Sequence, residues 1–426
     1  MDRLTVVDEI FLRTHRDLGT PIALQGLWRI PDPMSPTLLS AIHDQLRTGP
    51  LGRRVLRPRV PGARRAWRPN TRAHPLDLHG FPPPADIHTN PGLDHPLRED
   101  AILPWADTLG TGLDPEYGPG WRLSAARLHD GGTVVALTCS HALADARGLI
   151  HAVAAALDDL TTDATTGDPL RQSMRSSGRS DWADAWSQWS TVITGTARAL
   201  RQGIPKPPAA AAPDHLPGRA VHGTLLTFDA AEWDSIAAES GGTPNSLFIH
   251  LVANILWENG FPHPVITASL PVDTRDEPRV DNDLAVTAID IVRTDTPATL
   301  RAKARDAYLR RMTSPAGLPE EILQVIPDRW AHALSKGAGE RDILCSNIGT
   351  LPDTLRTVGP HHCDRVAARA IHPNLRDFPR TQLSGYLSRL ADTYTLALVS
   401  LSAHPETLAD AISRACHTTG PTPNHW

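Results

Sequence analysis

The chain has 426 residues, of which 40% are hydrophobic and 21% charged, as is typical of a soluble globular protein with two or three domains or lobes. Its 42 Lys and Arg residues against 47 Asp and Glu residues give a net charge of −5, which argues against a nucleic-acid-binding protein. No apolar run is long enough to span a bilayer, no secretory signal is evident at the N-terminus, and four cysteines are too few for a disulfide scaffold. We therefore expect a cytoplasmic protein.

The first half of the chain predicts strands and helices in alternation. Apolar residues at every second position indicate strands, and apolar stripes with the helical period indicate helices. Ser35 before Pro36 is typical of a helix start, because a serine hydroxyl caps the first turn and proline fits its first position. The predicted elements are strands over 21–30, 121–128 and 133–139, helices over 36–48, 146–157 and 181–201, and loop with edge strand over 53–84.

The region between the two halves of the chain contains a tryptophan-rich predicted helix and a predicted linker. Trp182, Trp186 and Trp189 form one stripe of the predicted helix 181–201, and we expect them to pack against the protein body. The proline- and alanine-rich stretch 203–217 has no apolar period, so it predicts a linker. This linker would join an N-terminal lobe over 1–202 to a C-terminal lobe over 218–426.

The second half again predicts a mixture of helices and strands. Thr243 before Pro244 indicates the start of an apolar helix that ends before Gly260. The other predicted elements are strands over 265–272, 284–291, 343–349 and 394–401, and helices over 297–312, 319–333 and 406–416.

Several common motifs are missing from the sequence. It has neither of the glycine-rich phosphate loops GxGxxG and GxxxxGK[ST], no GxSxG nucleophile turn, no HExxH and no CxxC. The run His361-His362-Cys363-Asp364 looks like a metal cluster, but neighbouring strand residues point to opposite faces, so we predict no metal there. Cys139 and Cys345 lie in apolar strands and are interpreted as core residues rather than nucleophiles.

The motif that remains is HxxxDxxG, formed by His141, Asp145 and Gly148. His141 follows a predicted strand and precedes a predicted helix, a position where α/β proteins often carry chemistry. Histidine titrates near neutral pH, so it is the natural base for removing a proton from an alcohol or amine. A histidine with only a packing role in the core is the alternative.

With this motif the chain resembles the superfamily of chloramphenicol acetyltransferase, nonribosomal condensation domains and plant BAHD acyltransferases. It is most similar to the bacterial wax ester synthase/diacylglycerol acyltransferase-like and polyketide-associated branch. Ser140 stands where that branch has the first histidine of HHxxxDG, and Ala146 stands where it has the glycine. The similar segments run along nearly the whole chain: 3–12 (RLTVVDEIFL), 112–123, 243–246 (TPNS), 271–275 (PVDTR) followed by Asn282, and 346–349 (SNIG).

The resemblance implies an α/β (α+β) fold of two chloramphenicol acetyltransferase-like lobes with a tunnel between them. It implies that His141 is the general base of an acyltransferase that uses a thioester donor and an alcohol or amine acceptor. It also implies that Asp145 points away from the tunnel and pairs with Arg275 of the second lobe, and we expect Gly148 to support the site structurally.

An oxyanion forms during acyl transfer, so a hydrogen-bond donor must face it. Ser346 and Asn347, on a predicted second-lobe strand, and Ser140 are our candidates for this donor or for lining the substrate site. Strand and loop packing is the alternative for Ser346 and Asn347.

The resemblance also implies the partners. The donor is expected to be an acyl-CoA or an acyl group on the phosphopantetheine arm of a carrier protein, bound as a co-substrate, and no metal or tightly bound cofactor is implied. We expect a small-molecule acceptor, a role in natural-product biosynthesis, a monomer, and no nucleic-acid or integral-membrane partner. Two alternatives stay open: a free-standing condensation enzyme that joins carrier-bound units, and a catalytically silent docking relative. A lipid-directed activity is a third, but no amphipathic basic helix supports it.

Overall fold

The structure is a computed structural model that describes residues 2–16, 21–82, 95–161, 180–202, 220–310, 341–375, 378–401 and 406–426. The predicted linker 203–217 and the predicted helix 319–333 lie outside the described residues. The described helices are α1 (Val6–Arg16), α2 (Pro36–Thr48), α3 (Ile102–Thr108), α4 (Ala146–Thr161), α5 (Asp181–Gln202), α6 (Ala230–Glu239), α7 (Pro244–Glu258), α8 (Pro297–Arg310) and α9 (Glu406–Thr419).

Most of the strands form two large sheets, each with helices packed against it and an apolar core, and the four others form two small two-stranded sheets. This mixed α/β architecture with two lobes is the predicted one, whereas the tunnel between the lobes stays a prediction. The strands are β1 (Ala23–Ile30), β2 (Arg53–Leu56), β3 (Ala66–Pro69), β4 (Asp77–His79), β5 (Trp121–Arg127), β6 (Thr133–Ser140), β7 (His222–Asp229), β8 (Val265–Asp273), β9 (Leu284–Val292), β10 (Ile343–Thr350), β11 (Thr357–Val358), β12 (His361–His362), β13 (Arg365–Ile371), β14 (Leu383–Leu390), β15 (Thr393–Ser400) and β16 (Asn424–His425). The first sheet has the order β13-β1-β6-β5-β4 and the second the order β16-β7-β15-β14-β10-β8-β9.

The helix starts follow the capping residues in the sequence. The Ser35 hydroxyl accepts a hydrogen bond from the Leu38 amide, and Pro36 occupies the first turn of α2, as predicted. Thr243 and Ser246 form a reciprocal capping box before the apolar helix α7. Within the described residues, no helix has both the length and the apolar character needed to cross a membrane.

Strand β13 comes from the second half of the chain but joins the first sheet. It pairs with β1 antiparallel, with Ile371 opposite Ala23, while β6 pairs with the other edge of β1, with Ser140 opposite Ala23. The ends of β6 and β13 therefore lie on either side of the start of β1. The predicted lobe boundary at residue 218 stays a prediction, and it did not anticipate this crossing.

The tryptophan stripe of α5 does not pack as predicted. Trp182 and Trp186 are 74% and 78% exposed, and Trp189 is 44% exposed. The helix instead buries the face that carries Ala185 and Val192, and a salt bridge from Arg64 to the buried Asp184 on that side holds it to the body. The helical period was correct, but the ion pair and the small residues determine which face is buried.

Candidate active site

His141 lies where the buried strand β6 ends. Its backbone amide donates a hydrogen bond at 3.0 Å to the carbonyl oxygen of Ile22, the residue before β1. The pairing of β6 with β1 therefore continues for one residue beyond the ends of the two strands. The Leu143 amide then bonds back to the Ser140 carbonyl at 2.9 Å and turns the chain towards α4. The sheet therefore fixes the backbone of His141, and its half-buried side chain projects from the sheet edge.

The contacts of Asn282 determine which nitrogen of His141 carries the proton. The side-chain Nδ2 of Asn282 lies 2.9 Å from the backbone oxygen of His141, and since a carbonyl oxygen only accepts, Nδ2 must donate to it. The other amide atom, Oδ1, faces Nδ1 of His141 at 3.1 Å, so Nδ1 carries the hydrogen and donates it. Nε2 has no hydrogen-bond partner among the described residues and is not fully buried. It is left as an unprotonated nitrogen that a substrate can approach.

Phe11 of α1 covers the imidazole of His141. The two ring centroids are 3.6 Å apart and the planes differ by 13°. Burial lowers the pKa of His141 below its usual value of 6.5, although hydrogen bonding to its own backbone, the Asp145 charge and the bond to Asn282 act in the opposite direction. His141 is therefore neutral at pH 7, which is the protonation state that a general base needs.

Asp8, also on α1, holds Asn282 in place. Its Oδ1 accepts one hydrogen bond from the backbone amide of Asn282 at 3.0 Å and another from the side-chain Nδ2 of Asn282 at 2.8 Å. Its Oδ2 accepts one from the Thr5 amide at 2.9 Å. Burial and the nearby Asp281 raise the pKa of this fully buried carboxyl to about 6. Asp8 and Phe11 lie inside the segment 3–12 that carries the family resemblance, but no motif singled them out in the sequence.

Asp145 faces the second lobe rather than the imidazole. Its Oδ2 lies 2.6 Å from Nη2 of Arg275, and both side chains are almost completely buried, as the resemblance implies. The same oxygen accepts a hydrogen bond from the Asp283 amide at 3.0 Å, while Oδ1 accepts one from the Gly148 amide at 2.8 Å. Asp145 therefore joins the start of α4 to the loop before β9, and no hydrogen bond joins it to His141 within the described residues.

At Gly148 these two elements are in close contact. A Cβ atom at this position would lie 2.3 Å from the Val280 carbonyl oxygen, far inside a normal contact. Only glycine allows this approach without moving the backbone. The structure therefore gives a steric reason for the final glycine of HxxxDxxG. This glycine permits the short distance between α4 and the loop that carries Asn282.

The three proposed substrate or oxyanion residues lie in different surroundings. Ser140 is buried in β6, where its hydroxyl oxygen accepts a long bond from the Ala142 amide. Ser346 and Asn347 lie on β10, and no hydrogen bond joins either to His141 within the described residues. Asn347 is already engaged at both ends of its amide, to Asn245 and to the Gly349 amide. Their role towards substrate stays a prediction.

No protein-family model matches the sequence, and none of the curated proteins matches it. Solved structures do match in fold. The condensation domain of the monacolin K polyketide synthase has 12% identity and a TM-score of 0.60, with 98% of this chain and 97% of that chain covered. Polyketide synthase associated protein 5 from Mycobacterium tuberculosis has 16% identity and a TM-score of 0.54, with 98% and 97% covered. The EpoB cyclization-docking bidomain from Sorangium cellulosum has 14% identity and a TM-score of 0.57, with 98% and 84% covered. The chain therefore has the fold of condensation domains and the related polyketide-associated proteins.

Proposed function

We propose that this protein is an acyltransferase that moves an acyl group from a thioester to an alcohol or amine, with Nε2 of His141 as the general base. The observation that carries the proposal is the bond from Nδ1–H of His141 to Asn282 Oδ1. This bond fixes the tautomer and leaves the lone pair of Nε2 open to a substrate. It is the hydrogen-bonding pattern of a catalytic histidine rather than that of a histidine satisfied within the core.

The reaction balances with this one base. Nε2 removes the proton from the hydroxyl or amine of the acceptor, and the oxygen or nitrogen attacks the thioester carbonyl carbon. The tetrahedral intermediate carries the negative charge on the carbonyl oxygen. Its carbon–sulfur bond then breaks, and the imidazolium returns the proton to the thiolate. Asn282 accepts from Nδ1–H throughout, which stabilises the positive charge that His141 carries between the two transfers.

The donor is an acyl-CoA or an acyl group on a carrier-protein phosphopantetheine, and the acceptor is a small molecule of natural-product biosynthesis. Support for a carrier-bound donor comes from the neighbours in fold, which are named as domains of nonribosomal peptide and polyketide synthases. A condensation enzyme that joins two carrier-bound units is the second candidate function. The EpoB neighbour is a cyclization-docking bidomain, which keeps a docking role as the third candidate function.

The arrangement of His141 favours an enzyme over a silent docking relative. Ser140, which replaces the first histidine of the related branch, is buried in the sheet and lies outside the His141–Asn282 pair. The substitution therefore leaves the base and its orienting partner in place.

The test is thiol release from acyl-CoAs of increasing chain length, with and without a mixed pool of alcohols and amines. His141→Ala is the test variant, and His417→Ala, at an exposed position of α9, is the matched control. We expect acceptor-dependent release that the control keeps and His141→Ala loses. If the acyl-CoAs are inert, acylated carrier proteins replace them in the same assay. Equal release by wild type and His141→Ala would overturn the proposal.

A further inference from the structure

A second histidine lies beside the proposed base. His141 and His372 each come one residue after a position paired with Ala23, so both are level with Ile22 on opposite edges of β1. On the β6 side, the hydrogen bond from the His141 amide to the Ile22 carbonyl holds these two residues opposite each other. Residues directly opposite each other in antiparallel strands point to the same face of the sheet. Continued one residue past Ile371, the strand register places both side chains on one face, with β1 between them.

The two ring nitrogens of His372 have different surroundings. Nδ1 is buried, and no described residue offers it a hydrogen-bond partner. Nε2 has no partner in the described residues either, but it is not fully buried. A buried N–H without an acceptor costs more than a buried lone pair without a donor, so the proton of the neutral ring belongs on Nε2. His372 thus presents an N–H donor to the space beside it.

His372 is neutral at pH 7. Burial, together with the nearby His141, lowers its pKa to about 4. A neutral imidazole offers one donor and carries no charge that would oppose the positive charge that His141 gains when it takes a proton. The same principle applies in enzymes where a neutral histidine with a lowered pKa polarises a carbonyl group.

We propose that His372 is a catalytic residue of the acyl transfer, whose Nε2–H donates a hydrogen bond to the oxyanion that forms on the thioester carbonyl. The inference rests on the proposed function. The two histidines have opposite roles: Nε2 of His141 accepts the proton of the nucleophile, and Nε2–H of His372 donates to the oxygen on which negative charge develops. No bond to His372 forms or breaks, and its proton stays on Nε2.

The spacing of the sheet fits a substrate between the two rings. Strands separated by one other strand lie roughly 10 Å apart. A hydrogen bond at each histidine, an attack distance of about 3 Å and the carbonyl group itself together span roughly 8 Å. The spacing of the strands is therefore compatible with a substrate that passes over Ile22, with its nucleophile on His141 and its carbonyl oxygen on His372.

The first experiment reads the tautomers directly and needs no substrate. Ring-¹⁵N-labelled wild-type protein is studied by NMR at pH 7, and His141→Ala and His372→Gln identify the two sets of signals. We expect His141 as the Nδ1–H tautomer and His372 as the neutral Nε2–H tautomer. A His372 ring that is protonated on Nδ1, or is charged at pH 7, would overturn the proposal whether or not any acyl donor has been found.

The second experiment uses variants that separate the two ring nitrogens. The amide of glutamine places a donor near the position of Nε2, whereas that of asparagine reaches only the position of Nδ1. In the thiol-release assay, with the acyl-CoA or acylated carrier protein that the wild type uses, we expect His372→Leu and His372→Asn to lower kcat about 100-fold or more with little change in KM. His372→Gln should stay within about tenfold of wild type, since it keeps the donor.

The possible failures can be told apart. If His141→Ala is inactive and His372→Leu stays within twofold of wild type, or if His372→Asn performs as well as His372→Gln, the role of His372 is wrong and the acyltransferase function stands. If His141→Ala performs as well as wild type, the proposed function fails and the inference fails with it. Circular dichroism of each variant shows whether it has folded.

Discussion

Nδ1 of His141 and Oδ1 of Asn282 lie 3.1 Å apart although the two residues are 141 positions apart in the chain. The contact joins the end of a first-sheet strand to the loop before β9 of the second sheet. The orientation of the proposed base therefore depends on the other lobe, and changes on either side of this contact should alter the activity.

Removing the Asn282 side chain tests the orienting bond. Asn282→Ala leaves Nδ1–H without its partner, so the imidazole loses its fixed tautomer and ring position. We expect kcat to fall about 10- to 100-fold, which is part of the 10²–10⁴ that a general base contributes, with a smaller effect on KM. Steady-state thiol release measures both values. Asn424→Ala, at an exposed position of β16, is the control, and an Asn282→Ala variant with the kcat of that control would contradict the orienting role.

Phe11 controls the pKa of the base. Since burial is the main cause of the lowered pKa of His141, Phe11→Ala should admit water and raise this pKa towards 6.5. A base works only when unprotonated, so the acid limb of the kcat/KM profile should move to higher pH. Phe81→Ala, which removes an aromatic ring stacked on Arg127, is the control and should leave the limb unchanged. A limb that stays in place in Phe11→Ala would contradict this account.

The Asp145–Arg275 pair supports the fold of the site. Asp145→Ala removes the buried carboxylate partner of Arg275 and leaves its pairing to the partly exposed Asp273, and breaking one side of a buried pair costs about 3–5 kcal/mol. We expect a loss of this size in the free energy of unfolding in urea, together with lower soluble yield and activity. Asp100→Ala breaks the exposed pair with Arg98 and should change stability by less than about 1 kcal/mol. The two variants losing the same amount would contradict the buried pairing.

The carboxyl of Asp8 makes stability depend on pH. Its pKa is raised from 3.8 to about 6 in the folded protein, so between these values the folded state binds a proton that the unfolded state does not. This stabilisation is complete below about pH 4 and is lost as the pH rises through about 6. The wild-type free energy of unfolding minus that of Asp8→Asn should therefore fall by on the order of 3 kcal/mol between pH 4 and pH 7. Urea unfolding of both proteins across this range measures it, and a constant difference would show that Asp8 does not titrate there.

Elements with a local signal were predictable from the sequence, and those defined by distant partners were not. Ser35 and Pro36 mark the start of α2 within a few residues, because a cap acts on its own helix. β13 has no such signal: RVAARAI is short and rich in alanine, and β1, its partner, lies more than 300 residues earlier. The sequence does not show which side of α5 is exposed either, because a helical period identifies a stripe of residues but not whether that stripe faces the protein body.

The candidate site shows the same division. The motif located His141, Asp145 and Gly148, and the family resemblance supplied the pairing with Arg275. The contacts of Asp8 and Phe11 come from a helix packed against the site from the far end of the sequence, and nothing in their residue types marks that packing. His372 became a candidate only when strand register put it level with His141.

The position of β13 also has a consequence for how the chain is made. During synthesis β1 appears at the start of the chain, while the strand that covers its outer edge ends at Ile371. Until that point has left the ribosome, one edge of β1 has unpaired amides and carbonyls, the kind of edge that invites pairing with other chains. The contact is also among the most distant in the sequence, and such contacts form slowly because a long loop must close first. The first sheet is thus begun at the start of synthesis but stays incomplete until Ile371 has been made.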